Sequence, residues 1–247
     1  VLTIASGKGG VGKSVLAANI ANCLADDLCV LVWDANMQFP NQHLLIGAEP
    51  PVRLNDVYCG KIDVTQAIFQ IKRNFYLLAD LPAAGESEKY ASNGIIRVYK
   101  QLLDLTDFDV IIIDAPAGAS YETLQACEIS DLTAIVVTDE PTSLLDAYGL
   151  IKMLLRNQHF DNINLIVNNV IDWEDADDIS SKLNLATEKF LKYRFSALGF
   201  VPYDRVVRMS ILQQELFTNS QPDSEASRAV RQLCAKLLDK STHSEVA

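Results

Sequence analysis

Short apolar runs alternate with longer stretches of helical period along this chain. The runs are Val1 to Ala5, Leu28 to Trp33, Phe75 to Ala79, Val110 to Ile113, Ala134 to Thr138, Asn164 to Val167 and Ala197 to Val201. Their length and β-branched content fit strands. Val110 to Ile113 shows no polar alternation, as expected of a strand covered on both faces. Between the runs, Leu16, Ala17, Ile20, Ala21 and Leu24 return at helical spacing. Leu144, Tyr148, Ile151 and Leu155 do the same, and so does Ala226 to Leu238. Trp173 to Asp178 is acidic and opens a predicted solvated helix. This alternation predicts an α/β fold, with a mostly parallel twisted sheet flanked by helices on both faces. No internal repeat, low-complexity stretch or Gly/Ser linker interrupts it. The expectation is one domain over residues 1–240, then a polar, frayed tail over 241–247. Trp33 and Tyr148 are expected in the core.

Composition narrows the partners. The chain has 247 residues, enough to bury about three quarters of the surface exposed on unfolding. With 21 Lys and Arg against 32 Asp and Glu, the formal charge is −11. Such acidity disfavours non-specific coating of DNA or of an anionic membrane. None of the apolar runs approaches the roughly 20 residues of a membrane span, and no signal peptide is evident. A cytoplasmic protein is expected. The five cysteines, Cys23, Cys29, Cys59, Cys127 and Cys234, form no CxxC. A zinc ribbon, an iron–sulfur run and a thioredoxin motif are thereby disfavoured. All but Cys59 sit in apolar stretches and read as buried free thiols. His43, His159 and His243 are scattered and suggest no metal or acid–base site.

The sharpest chemical signal is SGKGGVGKS, Ser6 to Ser14. Gly7, Gly12, Lys13 and Ser14 fit GxxxxGK[ST], between a predicted strand and a predicted amphipathic helix, which is the context this motif requires. The glycines let main-chain amides wrap a phosphate, and the helix points its positive end at the same place. Gly9 to Val15, with Val11 inside the loop, would form the cradle. Lys13 would reach the β- and γ-phosphates, and Ser14 would ligate Mg²⁺. A carboxylate partner follows in VIIIDAPAG, Val110 to Gly118. Asp114 stands at the C-terminal end of an apolar strand, beside the phosphates, where open α/β sheets bind ligands.

A second lysine in the loop, Lys8, makes KGGVGK. This resembles the deviant Walker A motif of the MinD/ParA family of P-loop ATPases, the MinD-like branch of the SIMIBI class. The resemblance implies ATP and Mg²⁺ as ligands. It also implies that Lys8 reaches the nucleotide of a partner copy in a homodimer, a cation supplied in trans that is worth about 10³–10⁵ in rate in related systems. Asp114 to Gly118, DAPAG, is similar to the family's second switch. Its first switch corresponds to VWDANMQFPN, Val32 to Asn41. Here Asp34, Gln38 and Asn41 are kept, but Asn36 stands where relatives carry a second Asp that positions or polarises the attacking water. An amide can hold that water but carries no charge. The expectation is intact ATP binding and dimerisation with slow hydrolysis, and a metal held by Ser14, Asp34 and Asp114.

NLIVNNV, Asn164 to Val170, resembles the strand whose terminal polar residue bonds the adenine edge, which selects Asn168. GFVPYD, Gly199 to Asp204, resembles the loop that closes over the base, with main chain around Pro202 and the Asp204 carboxylate. Asp204 reads equally well as a helix N-cap. Val136 to Leu154, Val201 to Phe217 and Ser227 to Val230 are similar to FlhG/FleN proteins, the MinD-like ATPases that set flagellar number and placement. The resemblance implies a protein partner, such as a transcription regulator or a basal-body component. It also allows a place at the inner membrane or cell pole, if an anchor is present. Neither the family's N-terminal activating segment nor its basic amphipathic C-terminal helix is evident in these residues. The expectation is truncation at those ends or a protein that works without them. Two rival functions are a DNA- or cargo-segregating ParA-type ATPase and a hydrolysis-impaired nucleotide-dependent scaffold. An iron–sulfur carrier is disfavoured by the missing CxxC.

Overall fold

A computed structural model describes residues 1–81, 94–157 and 162–244, with side chains to Asp239. In chain order the elements begin β1 (Leu2–Ser6), α1 (Lys13–Leu24), β2 (Val30–Asp34), α2 (Gln42–Ile46) and α3 (Leu54–Tyr58). A 3₁₀ turn at Val64–Gln66 precedes β3 (Phe69–Lys72), β4 (Phe75–Leu78), α4 (Gly94–Leu103), β5 (Val110–Ala117), α5 (Tyr121–Glu128) and β6 (Leu132–Val137). Then come α6 (Pro141–Asn157), β7 (Ile163–Val170), α7 (Trp173–Leu191), β8 (Ser196–Pro202), α8 (Arg205–Gln213), α9 (Phe217–Ser220) and α10 (Glu225–Ser244).

The strands form one sheet in the order β3-β4-β2-β5-β1-β6-β7-β8. Every pairing is parallel except β3 with β4. Successive strand residues face opposite sides and enter different cores. Leu31 and Trp33 of β2 pack on one face with α3 to α7, while Val30 and Val32 pack on the other with α1, α9 and α10. From β1 the chain crosses the sheet in one direction to β2, and from β5 it crosses in the other to β6, so the ligand crevice of an open α/β sheet falls at the C-terminal ends of β1, β5 and β2.

All seven expected strands are present. The eighth, β3, has no apolar run to announce it. It is a four-residue edge strand with only Phe69 and Ile71 turned inward, and it pairs with β4 through the tight turn Arg73–Asn74. Asn74, the second turn residue, takes a left-handed φ of 62°, which Asn tolerates better than most residues. At the other end, α10 continues to Ser244, so the first four residues of the expected frayed tail are helical. Residues 245–247 and His159 lie outside the described residues. Trp33 is fully buried and donates its indole N–H to the Tyr58 hydroxyl at 3.1 Å. Tyr148 packs, partly exposed, against the same core. Cys127 and Cys234 are buried as expected. Cys23 and Cys29 are only half-buried, Cys23 in the last turn of α1 and Cys29 in the connection just before β2.

Candidate functional site

The glycine loop joins β1 to α1 at the crevice. Gly9 and Gly10 form its exposed crest, Val11 turns into the core, and Ser14 and Val15 lie in the first turn of α1. Two glycines are enforced by their surroundings. A Cβ on Gly7 would lie 2.2 Å from the main-chain carbon of Asp146 in α6. Gly12 has φ +86°, and a Cβ there would meet the Asn168 amide nitrogen at 2.3 Å. The obstacle at Gly7 is backbone and cannot rotate away. Gly7→Ala is therefore expected to destabilise the fold by about 2–4 kcal/mol and to displace the loop. Urea unfolding and nucleotide titration check this, and a variant indistinguishable from the parent in both would refute the packing argument.

Parallel register brings the two carboxylates together. Asp34, the last residue of β2, pairs directly with Asp114 of β5. Both are shut off from solvent, at 1% and 0% exposure. Lys13 donates to Asp114 Oδ1 at 2.7 Å. Gln42, the first residue of α2, donates its amide to Asp114 Oδ2 at 2.8 Å and to the Ser14 carbonyl at 2.9 Å. Asp34 instead accepts main-chain amides, from Asn36 at 3.1 Å, Asn41 at 2.8 Å and Gln42 at 3.0 Å. Those bonds favour its charged form. Burial and the neighbouring Asp114 outweigh them and push the Asp34 carboxyl up to about 7.

Two carboxylates facing one lysine leave the crevice short of positive charge. With the Ser14 hydroxyl they make an all-oxygen donor set that suits a small hard cation such as Mg²⁺. An incoming phosphate would compete with Asp114 for Lys13, and a cation would compete with Lys13 and Gln42 for the Asp114 oxygens.

Asn36 closes its own loop. Its amide nitrogen donates to the Phe39 carbonyl at 2.9 Å, and its oxygen accepts from the Phe39 amide at 3.3 Å. Gln38 and Phe39 beyond it are exposed. Lys8 is held within its own chain, by Glu140 and by the Thr142 hydroxyl at 3.0 Å, both at the start of α6. Its charge holds the Glu140 carboxyl below the usual range.

The residues expected near the base are also engaged. Asn168, at the end of β7, donates to the Val11 carbonyl at 2.8 Å and so braces the glycine loop. Pro202 ends β8. Asp204 caps α8 through the Val206 amide at 2.9 Å and also accepts from Ala226, in the first turn of α10, at 3.3 Å. The cap reading of Asp204 is the one its geometry displays.

Three site residues escape a reading of the sequence. Gln42 has only its place directly after Asn41 to mark it, and nothing in the pattern says that its amide turns back to Asp114. Glu140 and Thr142 flank Pro141 at a legible helix start, but their contact with Lys8 spans more than 130 residues. Among the described residues no group of three or more His, Cys, Asp or Glu side chains is gathered for a metal. No described helix is long and apolar enough to cross a membrane.

Known proteins resemble this chain in sequence and fold. The family model described as ParA: NUBPL iron-transfer P-loop NTPase matches residues 1–238. The antiactivator FleN of Pseudomonas aeruginosa is 28% identical, over 96% of this chain and 85% of its own. The flagellum site-determining protein YlxH of Helicobacter pylori is 26% identical, over 97% and 82%. The crystal structure of the cell division ATPase MinD from Pyrococcus furiosus superposes with a TM-score of 0.80 at 26% identity, covering 96% of this chain and 98% of that one. The family model spans the glycine loop, both carboxylate strands and all but the end of the last helix, and on that match the chain belongs to the ParA family of P-loop NTPases.

Proposed function

We propose that the protein is a Mg²⁺-dependent ATPase switch that dimerises around ATP and regulates flagellar number or placement through a protein partner. The observation that carries the ATPase reading is the crevice at the ends of β1, β2 and β5. There Lys13, Asp114, Asp34, Ser14 and Gln42 converge under a glycine loop whose shape the neighbouring backbone enforces. Mg²⁺, when bound, supplies a Lewis acid at the phosphate oxygens. Lys13 would leave Asp114 for the β- and γ-phosphates, and Ser14, Asp34 and Asp114 would hold the metal. Asn168 and the main chain around Pro202 would border the base. Lys8 would release Glu140 and Thr142 to reach the nucleotide of the other copy. The flagellar assignment rests on the likeness to FleN and YlxH along nearly the whole chain. The −11 charge favours a protein target over DNA.

Size exclusion with ATP or ADP, beside a steady-state ATPase assay, tests the reading. An ATP-dependent dimer with measurable turnover supports a cycling switch. A dimer without turnover supports a nucleotide-locked scaffold, and a monomer with ATP bound overturns the dimer. Asn36→Asp sharpens the comparison. A carboxylate there regains a charge for the attacking water, and turnover is expected to rise about tenfold or more. It also loses the amide donor to the Phe39 carbonyl, so the loop should loosen by about 1 kcal/mol. An unchanged rate would show that position 36 does not limit hydrolysis.

A further inference from the structure

The far end of α1 carries chemistry that the nucleotide site does not use. Cys23 lies in its last turn, and α10 packs across it with Leu233 and Leu237 buried in the shared core. Cys23 and Cys234 are neighbours across this packing, each thiol acting on the other's ionisation. Cys234 Sγ also lies 3.7 Å from the carbonyl oxygen of Ile20, three residues before Cys23. The two sulfurs differ in access, for Cys23 is half-buried while Cys234 is only 6% exposed. The surroundings of Cys23 are fixed by α9. The Thr218 hydroxyl is near Cys23 and is itself fixed, donating to Asn19 at 2.9 Å and accepting from Asn22 at 2.9 Å. Arg231, one turn before Cys234, is the nearby cation, and Asp26 opposes it.

These contacts divide the pair into unequal partners. The Cys234 thiol, Thr218 and Arg231 favour a charge on Cys23 and lower its pKa, against the opposing effect of burial. Cys234, beside that charge and buried, is pushed up. An accessible, acidified thiol next to a protected one is the arrangement of a reactive cysteine with its resolving cysteine. The other thiols lack it. Burial pushes Cys127 up to about 12, and burial with Asp109 and Asp107 raises Cys29.

We propose that Cys23 and Cys234 are a peroxide-responsive pair that closes into a reversible disulfide, fastening the C-terminal helix to the helix that follows the glycine loop. In the first step the Cys23 thiolate sulfur attacks one oxygen of hydrogen peroxide. The O–O bond breaks, the departing hydroxide takes up a proton as water, and Cys23 becomes a sulfenic acid, oxidised by two electrons. In the second, the Cys234 sulfur attacks the Cys23 sulfur as its own proton leaves. The S–O bond breaks, and the hydroxide departs with that proton as a second water. A small dithiol reverses the bond by exchange. Cys23 lies ten residues beyond Lys13, about 15 Å along the helix axis. Nucleotide binding should therefore survive oxidation, while the end of α10 loses its freedom to move from α1.

The test uses the whole chain treated with equimolar hydrogen peroxide. Free thiols should fall from five to three, with a Cys23–Cys234 peptide pair in a non-reduced digest, and dithiothreitol should restore all five. In Cys234→Ser the sulfenic acid has no resolving thiol, so Cys23 should accumulate a dimedone adduct. In Cys23→Ser the peptide pair should vanish. With iodoacetamide, Cys23 should react faster than the more exposed Cys59. Oxidation at Cys59 without the Cys23–Cys234 pair overturns the proposal. So does a crosslink that migrates as a covalent dimer, or the absence of a Cys23 adduct in folded Cys234→Ser.

Discussion

Lys13→Ala is expected to lower ATP turnover by about 10²-fold or more and, separately, to weaken the nucleotide-free fold. The first effect follows from the lost cation at the phosphates. The second has a different origin. Asp114 is fully buried, and Lys13 is the cation that meets it, while Gln42 supplies only a neutral donor to the other oxygen. Removing Lys13 leaves two adjoining carboxylates, Asp34 and Asp114, buried without a counter-charge. Breaking a buried pair from one side costs about 3–5 kcal/mol. The double variant Lys13→Ala/Asp114→Asn separates the two effects. An amide at position 114 can still accept from Gln42 and carries no charge, so stability should return while turnover stays lost. Urea unfolding of the parent, the single and the double variant, with ATPase rates for each, makes the comparison. A single variant as stable as the parent would mean that the Lys13–Asp114 pair contributes nothing in the resting protein.

What could be read from the sequence here follows from how local each feature is. The glycine loop and Asp114 announce themselves because each motif lies within a few residues of a strand end. Strands such as Val110 to Ile113 were legible because burial on both faces removes every polar residue. β3 was not legible, since an edge strand needs only Phe69 and Ile71 to face inward, and two positions do not make a pattern. The contacts that complete the site span the chain. Asp34 meets Asp114 through sheet register, Gln42 reaches Asp114 because α2 folds back over the crevice, and Lys8 meets Glu140 because α6 begins beside the loop. None of these is encoded by spacing. The same holds for Cys23 and Cys234, each of which reads alone as a core thiol until α10 is laid on α1.

Asp34→Asn is expected to stabilise the nucleotide-free protein by an amount that grows with pH, while impairing metal-dependent turnover. The folded-state pKa of Asp34 is raised from 3.8 to about 7, because burial and the Asp114 charge outweigh three main-chain hydrogen bonds. The fold therefore keeps a proton that the unfolded chain releases. Stability from this group is fully present below the unfolded value of 3.8, falls as pH rises toward about 7, and is level above that. An amide at position 34 has no such titration. The difference in unfolding free energy between variant and parent should widen from about pH 4 to pH 7 and then flatten, reaching on the order of 4 kcal/mol at most. One bond is lost at every pH. A single amide oxygen can accept from Asn41 and Gln42, but its nitrogen would face the Asn36 amide. That cost of about 1 kcal/mol moves the whole curve without tilting it. The slope is therefore the test, and equal pH dependence of the two proteins between pH 5 and 7 would show that Asp34 is not the group that titrates. The same proton competes with a cation. If Asp34 holds Mg²⁺ with ATP, the parent's affinity for Mg²⁺-ATP should fall as pH drops below about 7, in the range where its nucleotide-free fold becomes more stable. Opposite pH trends in stability and metal binding, both abolished by one substitution, are what a buried metal-binding carboxylate produces and what a merely structural one does not.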